Sequence, residues 1–210
     1  NANHTIPAIQ RWDKNGQLES QEYYVNGKLN NFFNHDTNQI IPAYQIWHDD
    51  GQIWYQQYCT NGEVNNFFDT HTNQIIPAIQ EWHRNGQLEY QKYYTNDKRN
   101  NFFDTNANHT IPATQKWYNN GQLWSQEYYI NGELTNFFNT YTNKIIPALQ
   151  SWHENGQLRY QQYHTNGKRN NFFDTNTNQT IPATQKWYNN GQLWSQQYYI
   201  NGKDYNFFDI

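Results

Sequence analysis

The sequence predicts an all-β repeat array, and three observations carry that prediction. A unit of 35 residues is written six times and accounts for all 210 residues. Every unit carries two turn signals of the Asn-Gly kind, and no segment shows the periodicity of a helix. The copies span 1–35, 36–70, 71–105, 106–140, 141–175 and 176–210, a single array over 1–210. With Asn1 as slot 1, the fixed skeleton is I-P-A-x-Q-x-W at slots 6 to 12, N-G-Q-L at 15 to 18, Q-x-Y at 21 to 23, N-G at 26 and 27 and N-F-F at 31 to 33.

About three antiparallel strands per copy follow. The first covers slots 5 to 13. Its fixed residues Ile6, Ala8, Gln10 and Trp12 alternate and share one face, whereas slots 9 and 11 vary freely and read as the wet face. Pro7 marks an edge or a strand start, because it has no N–H for a ladder. Asn15-Gly16 then supplies a type I′ turn with two positive-φ positions, and Asp50-Gly51 replaces that pair in copy two. The second strand covers slots 17 to 25 and ends at a second type I′ pair, Asn26-Gly27, kept as Asn96-Asp97 in copy three. The third covers slots 28 to 33, where the adjacent Phe32 and Phe33 must point to opposite faces. A polar D-T-x-T-N-Q type loop leads to the next copy.

One copy has too little apolar surface to fold alone, so neighbours must share a continuous core. An elongated twisted sheet of eighteen such strands would run to about 85 Å at ~4.8 Å per strand. A closed six-bladed propeller is the alternative, although blades usually take about 40–45 residues. Slots 5, 20 and 25 change together, as Thr110, Ser125 and Ile130 against Ile145, Tyr160 and Thr165, which predicts either a shared packing volume or a duplicated 70-residue pair. Trp12, Trp47, Trp82, Trp117, Trp152 and Trp187 are the structural tryptophans of the repeat.

Composition narrows the function classes. A formal net charge of −4 with 15% charged residues offers no basic face for nucleic acid and argues against an anionic membrane surface. The polarity comes from 34 Asn and 24 Gln, while 39 aromatics at fixed positions oppose disorder. No apolar run reaches the length of a membrane span and the N-terminus has no signal-peptide character, which leaves the compartment open. The chain contains no Met, so a processed product or an excised segment is expected. Cys59 stands alone at slot 24 where most other copies hold Tyr, which rules out an internal disulfide and reads as a tolerated replacement of a half-buried tyrosine.

The run W-x-x-N-G-Q-L-x-x-Q-x-Y-Y-x-N-G-K resembles the variant MORN (membrane occupation and recognition nexus) repeats of bacteria and giant viruses. In the last copy the matching letters are Pro182, Ala183, Trp187, Tyr188, Asn190 and Gly191, followed by Tyr198, Tyr199, Asn201, Gly202 and Lys203. The resemblance covers all six copies. It departs after the second Asn-Gly, where Asn-Asn-Phe-Phe replaces a more basic or Gly-containing stretch. It implies an elongated antiparallel scaffold for protein contacts or membrane association, without catalysis.

No catalytic constellation, cofactor motif or metal spacing is apparent. His48, His83 and His153 recur at slot 13 and read as solvent-facing strand ends. Asn3, Asn108 and Asn178 head sequons that matter only in a secretory context. The most suggestive candidates lie at slot 19: Trp54, Trp124 and Trp194 in the even copies against Glu19, Glu89 and Arg159 in the odd ones. Simple alternation places them on the face of slots 17, 21 and 23, beside Gln56, Gln126 and Gln196. Flat indoles next to amides suit sugar C–H faces and hydroxyls. Two functions are therefore expected: a non-enzymatic scaffold for a protein partner or self-association, and alternatively a multivalent glycan-binding protein.

Overall fold

The structure, a computed structural model, describes residues 7–70, 72–104, 108–140 and 142–205. Every regular element among them is a β-strand. The chain forms two compact units, one of residues 1–98 with 119–121, the other of residues 99–118 with 122–210.

In the first unit six strands follow one another in sequence order in an antiparallel sheet: Ile9–Trp12, Leu18–Glu22, Tyr44–Trp47, Ile53–Gln57, Ile79–Trp82 and Leu88–Lys92. The second unit repeats the pattern with Thr114–Trp117, Leu123–Glu127, Leu149–Trp152, Leu158–Gln162, Thr184–Trp187 and Leu193–Gln197. Each copy gives the sheet one hairpin. Successive hairpins are hydrogen-bonded to each other, with Ser20 opposite Ile46, Gln21 opposite Gln45 and Glu22 opposite Tyr44. This continuity rules out the propeller, whose blades would each be a separate sheet.

Each strand expected from the sequence is divided in two. In copy two the first splits into Gln39–Ile41 and Tyr44–Trp47, because Pro42 has no N–H and the Ala43 N–H goes to Asn31 Oδ1 at 3.1 Å. The second splits at Tyr58, whose N–H donates to the Ala78 carbonyl at 2.8 Å. The freed ends pair into two-stranded ribbons, Cys59–Thr60 with Glu63–Val64 and Phe67–Asp69 with Gln74–Ile76. These ribbons cover the sheet face that carries the slot-10 and slot-21 glutamines, since Thr110 and Phe137 line one cavity with Gln115 and Gln126. Beneath them Ala43, Ala78, Ala113, Ala148 and Ala183 are fully buried, and Tyr58 stacks on Phe67 at 5.5 Å, as Tyr128 does on Phe137 at 5.1 Å. Phe68, Phe103, Phe138 and Phe173 point outward, opposite to their neighbours as the sequence required.

Only one of the two turns is of the expected type. Asn26 (φ 50°) and Gly27 (φ 74°) form the type I′ pair, and Asn96 with Asp97 keeps it at φ 49° and 59°. At the first turn Gly16 alone is left-handed: its N–H donates to the Asp13 carbonyl at 3.1 Å and the Asp13 N–H to Gln17 at 2.9 Å. That is a longer loop, a type I turn closed by a glycine bulge. In the connecting loop Asn38, Asn73, Asn108, Asn143 and Asn178 are all left-handed, a conformation Asn tolerates better than most residues.

Two further expectations are corrected. Slot 9 is not uniformly wet, because Thr114 is 1% and Thr184 3% exposed, covered by large side chains of the same face such as Tyr160. Slots 5 and 20 share no volume either. Thr110 lies with Gln115 and Gln126, Ser125 lies with Lys116 and Trp124 on the opposite face, and Ile130 is exposed. Their joint variation therefore reflects duplication of a 70-residue pair.

Candidate functional site

A β-bulge decides where the slot-19 tryptophans point. Lys116 is opposite Ser125 but Trp117 is opposite Leu123, so Trp124 is the extra residue on its strand. The same shift recurs at Trp54 and Trp194. A bulge re-aims its side chain. Trp124 and Trp194 consequently share a face with Lys116, Ser125 and Glu127, and not with Gln126 and Gln196 as alternation predicted. Each indole leans on the slot-13 ring of its own copy: Trp54 on His48 at 5.9 Å, Trp124 on Tyr118 at 6.0 Å and Trp194 on Tyr188 at 5.8 Å. Exposure remains 41% for Trp54, 38% for Trp124 and 60% for Trp194.

The glutamines work under the ribbons. Gln21 donates to Gln45 at 2.7 Å, Gln126 to Gln150 at 2.9 Å and Gln161 to Gln185 at 2.6 Å, amide bridges that join neighbouring copies within a unit. Gln56 lies between Gln45 and Gln80 in the same row, and Gln196 lies opposite Gln185. Slot 13 is also not a free strand end. The His48 ring donates to the Trp82 carbonyl at 3.3 Å, Tyr118 to Trp152 at 2.9 Å and His153 to Trp187 at 3.0 Å. Of the structural tryptophans, Trp47, Trp82, Trp117, Trp152 and Trp187 are half-buried, whereas Trp12, on the outermost strand of the first unit, is 54% exposed.

The asparagine fixed at slot 31 forms a clamp that sequence reasoning missed. Asn101 Oδ1 accepts from the Ala113 N–H at 3.1 Å and the Tyr129 N–H at 2.9 Å. Asn31, Asn66, Asn136 and Asn171 do the same. The signal was present in the fixed Asn before each Phe-Phe pair.

In the second unit the face opposite the ribbons forms a groove of about 750 Å³. Trp124, Tyr160 and Trp194 line it together with Lys116, Arg159 and Lys186. Lys116 Nζ lies 5.3 Å from the centre of the Trp124 ring and Lys186 Nζ 5.5 Å from that of Trp194. Glu127 also lines the groove, but Arg99 at 3.5 Å and the Tyr129 hydroxyl at 3.0 Å hold its carboxylate.

Five segments match the family model of the MORN repeat variant: residues 9–26, 79–96, 113–131, 148–166 and 183–201. Five of the six copies thus carry a MORN repeat. Among curated proteins none matches the chain. Each matched segment runs along the sheet hairpin to the second turn and includes slot 19, which is Trp124 and Trp194 in two of the matched segments and Glu19, Glu89 and Arg159 in the other three. The clamp asparagine and the Phe-Phe ribbon lie outside the matched segments. Repeats of this family are in general protein- or membrane-interaction scaffolds of a non-catalytic kind.

Other polar groups of the repeats are turned inward. Cys59 is 1% exposed, burial pushes its thiol up, and Gln57 donates to its sulfur at 3.2 Å, an arrangement that favours an inert thiol. His164, in the same slot, is buried too, and burial pushes its ring below the ordinary histidine range. Among the described residues no three His, Cys, Asp or Glu side chains come together to hold a metal ion, and no helix is long and apolar enough to cross a membrane. Asn108 and Asn178 are exposed at left-handed loop positions, and Asn3 lies outside the described residues.

Proposed function

We propose that the chain is a non-enzymatic scaffold whose uncovered sheet face receives a protein partner or a second copy of the chain. The observation that supports this is the inequality of the two faces. One is sealed by the chain's own ribbons over buried alanines and Tyr–Phe stacks, while the other keeps half-exposed indoles and phenols held rigid by neighbouring rings. Rigid amphipathic aromatics give contact area at low entropic cost, which is why Trp and Tyr anchor interfaces.

Site-specific photo-crosslinking in the source cells tests the reading. A benzophenone amino acid at Trp54 should give one discrete adduct with a protein or with a second copy. The same probe at Phe173, which is as exposed but belongs to a ribbon, should give none. Equal adducts at both positions, or none at Trp54, would remove the proposed face.

A further inference from the structure

The second turn of a copy is clipped to the copy before it, and one joint departs from this pattern. The Asn61 N–H donates to Asn30 Oδ1 at 2.8 Å, Asn96 to Asn65 at 2.6 Å, Asn131 to Asn100 at 2.7 Å and Asn201 to Asn170 at 3.1 Å. The next N–H is held as well: Gly62 donates to the Leu29 carbonyl, Gly132 to Arg99 and Gly202 to Arg169, each at 2.9 Å. At the joint of copies four and five the acceptor slot holds Thr135 instead of Asn. Its hydroxyl oxygen reaches one bond less far than an asparagine carbonyl. Among the described residues neither the Asn166 N–H nor the Gly167 N–H finds an acceptor. The turn stands off accordingly: a Cβ on Gly167 would meet Glu133 at 4.0 Å, against 3.5 Å for Gly62 on Lys28 and 3.7 Å for Gly202 on Lys168. Asn166 still has the left-handed conformation of the type I′ turn, at φ 50°, and both residues are exposed. Asn26-Gly27 carries neither bond, with no described copy on that side of it.

We propose that Asn166 is a modification site, where deamidation through a succinimide outpaces that of the clipped turns. The Gly167 backbone nitrogen attacks Asn166 Cγ and gives its proton to water, the Cγ–Nδ2 bond breaks, and ammonia leaves. Water then opens the five-membered imide at either carbonyl, which leaves aspartate or isoaspartate. One water enters for each ammonia released, and nothing is oxidised or reduced. Gly167 has no Cβ to obstruct the attack. The step needs a free backbone nitrogen and a rotation of the Asn166 backbone out of the left-handed well. At Asn61 two hydrogen bonds to the preceding copy must break for that rotation, and at Asn166 neither exists. Two ordinary hydrogen bonds restrain such an opening by about tenfold. The first turns are restrained in another way. The Gly86, Gly156 and Gly191 N–H groups donate within the turn, and the carboxamides of Asn85, Asn155 and Asn190 accept from the backbone two residues on. Modification of Asn166 adds a carboxylate to a turn that already faces Glu133, and isoaspartate lengthens the main chain by one carbon. The inference does not rest on the scaffold reading.

Peptide mapping by mass spectrometry tests it, after incubation of the full chain in mildly alkaline buffer made with heavy-oxygen water. Thr60-Asn61-Gly62 and Thr165-Asn166-Gly167 are the same tripeptide, so their intrinsic rates are matched. In the folded chain Asn166 should convert about tenfold faster than Asn61, with uptake of one heavy oxygen, and in strong denaturant the two rates should coincide. Thr135→Asn supplies the missing acceptor and draws the turn in. It should slow Asn166 to the rate of Asn61 and leave Asn26 unchanged. Asn30→Thr removes the clip from the turn of copy two and should speed Asn61 to the rate of Asn166. Both variants install a residue that the same slot holds in another copy, and circular dichroism checks that each is folded. Equal rates in the folded chain, a difference that persists in denaturant, conversion without heavy oxygen, or rates at Asn166 and Asn61 that ignore the two substitutions would each overturn the proposal.

Discussion

At the scale of single residues, the copies reveal what each slot demands by what replaces its usual occupant. Slot 24 holds Tyr in four copies and Cys59 and His164 in the other two. Both replacements are buried. The consequences differ: a buried thiol stays neutral at ordinary pH, whereas a buried imidazole meets its titration range. Burial lowers the His164 pKa below the ordinary histidine value, and the Arg169 charge adds to that effect. The folded chain therefore resists a proton that the unfolded chain accepts. Stability is fully present above the unfolded value and is lost as the pH falls from there through the folded value, at up to about 1.4 kcal/mol per pH unit. Urea unfolding at pH 7.5 and at pH 5.5 should show a larger acid loss for the natural chain than for His164→Tyr, which restores the usual residue. Equal losses in the two proteins would mean that His164 takes up its proton without cost.

At the scale of elements, the joints between copies carry the order of the repeat. Asn101 satisfies two backbone N–H groups of the following copy, one on Ala113 and one on Tyr129, where the ribbon meets the next hairpin. Asn101→Ala strands both donors at a part-buried joint, so a loss of about 2–4 kcal/mol is expected in chemical denaturation. Asn100 accepts from the exposed Asn131 N–H at 2.7 Å, and Asn100→Ala should cost under about 1 kcal/mol because water replaces the acceptor. Similar losses for the two variants would show that water replaces the clamp's acceptor as readily as it replaces that of Asn100. The hairpins and the second turn were legible because Asn-Gly and alternation state their geometry locally. The division of each strand was not, since it arises where Pro42 and Tyr58 find partners outside the ladder. Of the candidate site, the six-copy pattern of slot 19 was legible in the sequence, but the bulge that turns Trp124 away from Gln126 is a matter of register between strands, which alternation along one strand does not carry.

At the scale of the molecule, one hairpin geometry is used for two purposes. The ribbon face holds copies together through amides and Tyr–Phe stacks, and its residues are fixed along the chain. The other face varies by copy: slot 11 holds Arg11, Ile46 and Glu81 in the first unit and Lys116, Ser151 and Lys186 in the second. Such a division requires that stability come from neighbouring copies and not from the variable face. Within the second unit, Trp152 and Trp187 are both half-buried, and each carbonyl accepts a hydrogen bond from the preceding copy. Their surroundings differ on the far side. The strand Leu158–Gln162 pairs onward with Thr184–Trp187, whereas Leu193–Gln197 is the last strand of the order, with Leu193 47% exposed. Trp152→Ala should therefore lower stability by about 3 kcal/mol and Trp187→Ala by about 1–2 kcal/mol, although the substitution is the same. Denaturant titrations of the two variants, followed by circular dichroism, measure the difference directly. A loss at Trp187 as large as that at Trp152 would mean that each hairpin is stabilised within its own copy, and that the amide bridges and asparagine clamps contribute alignment without contributing stability.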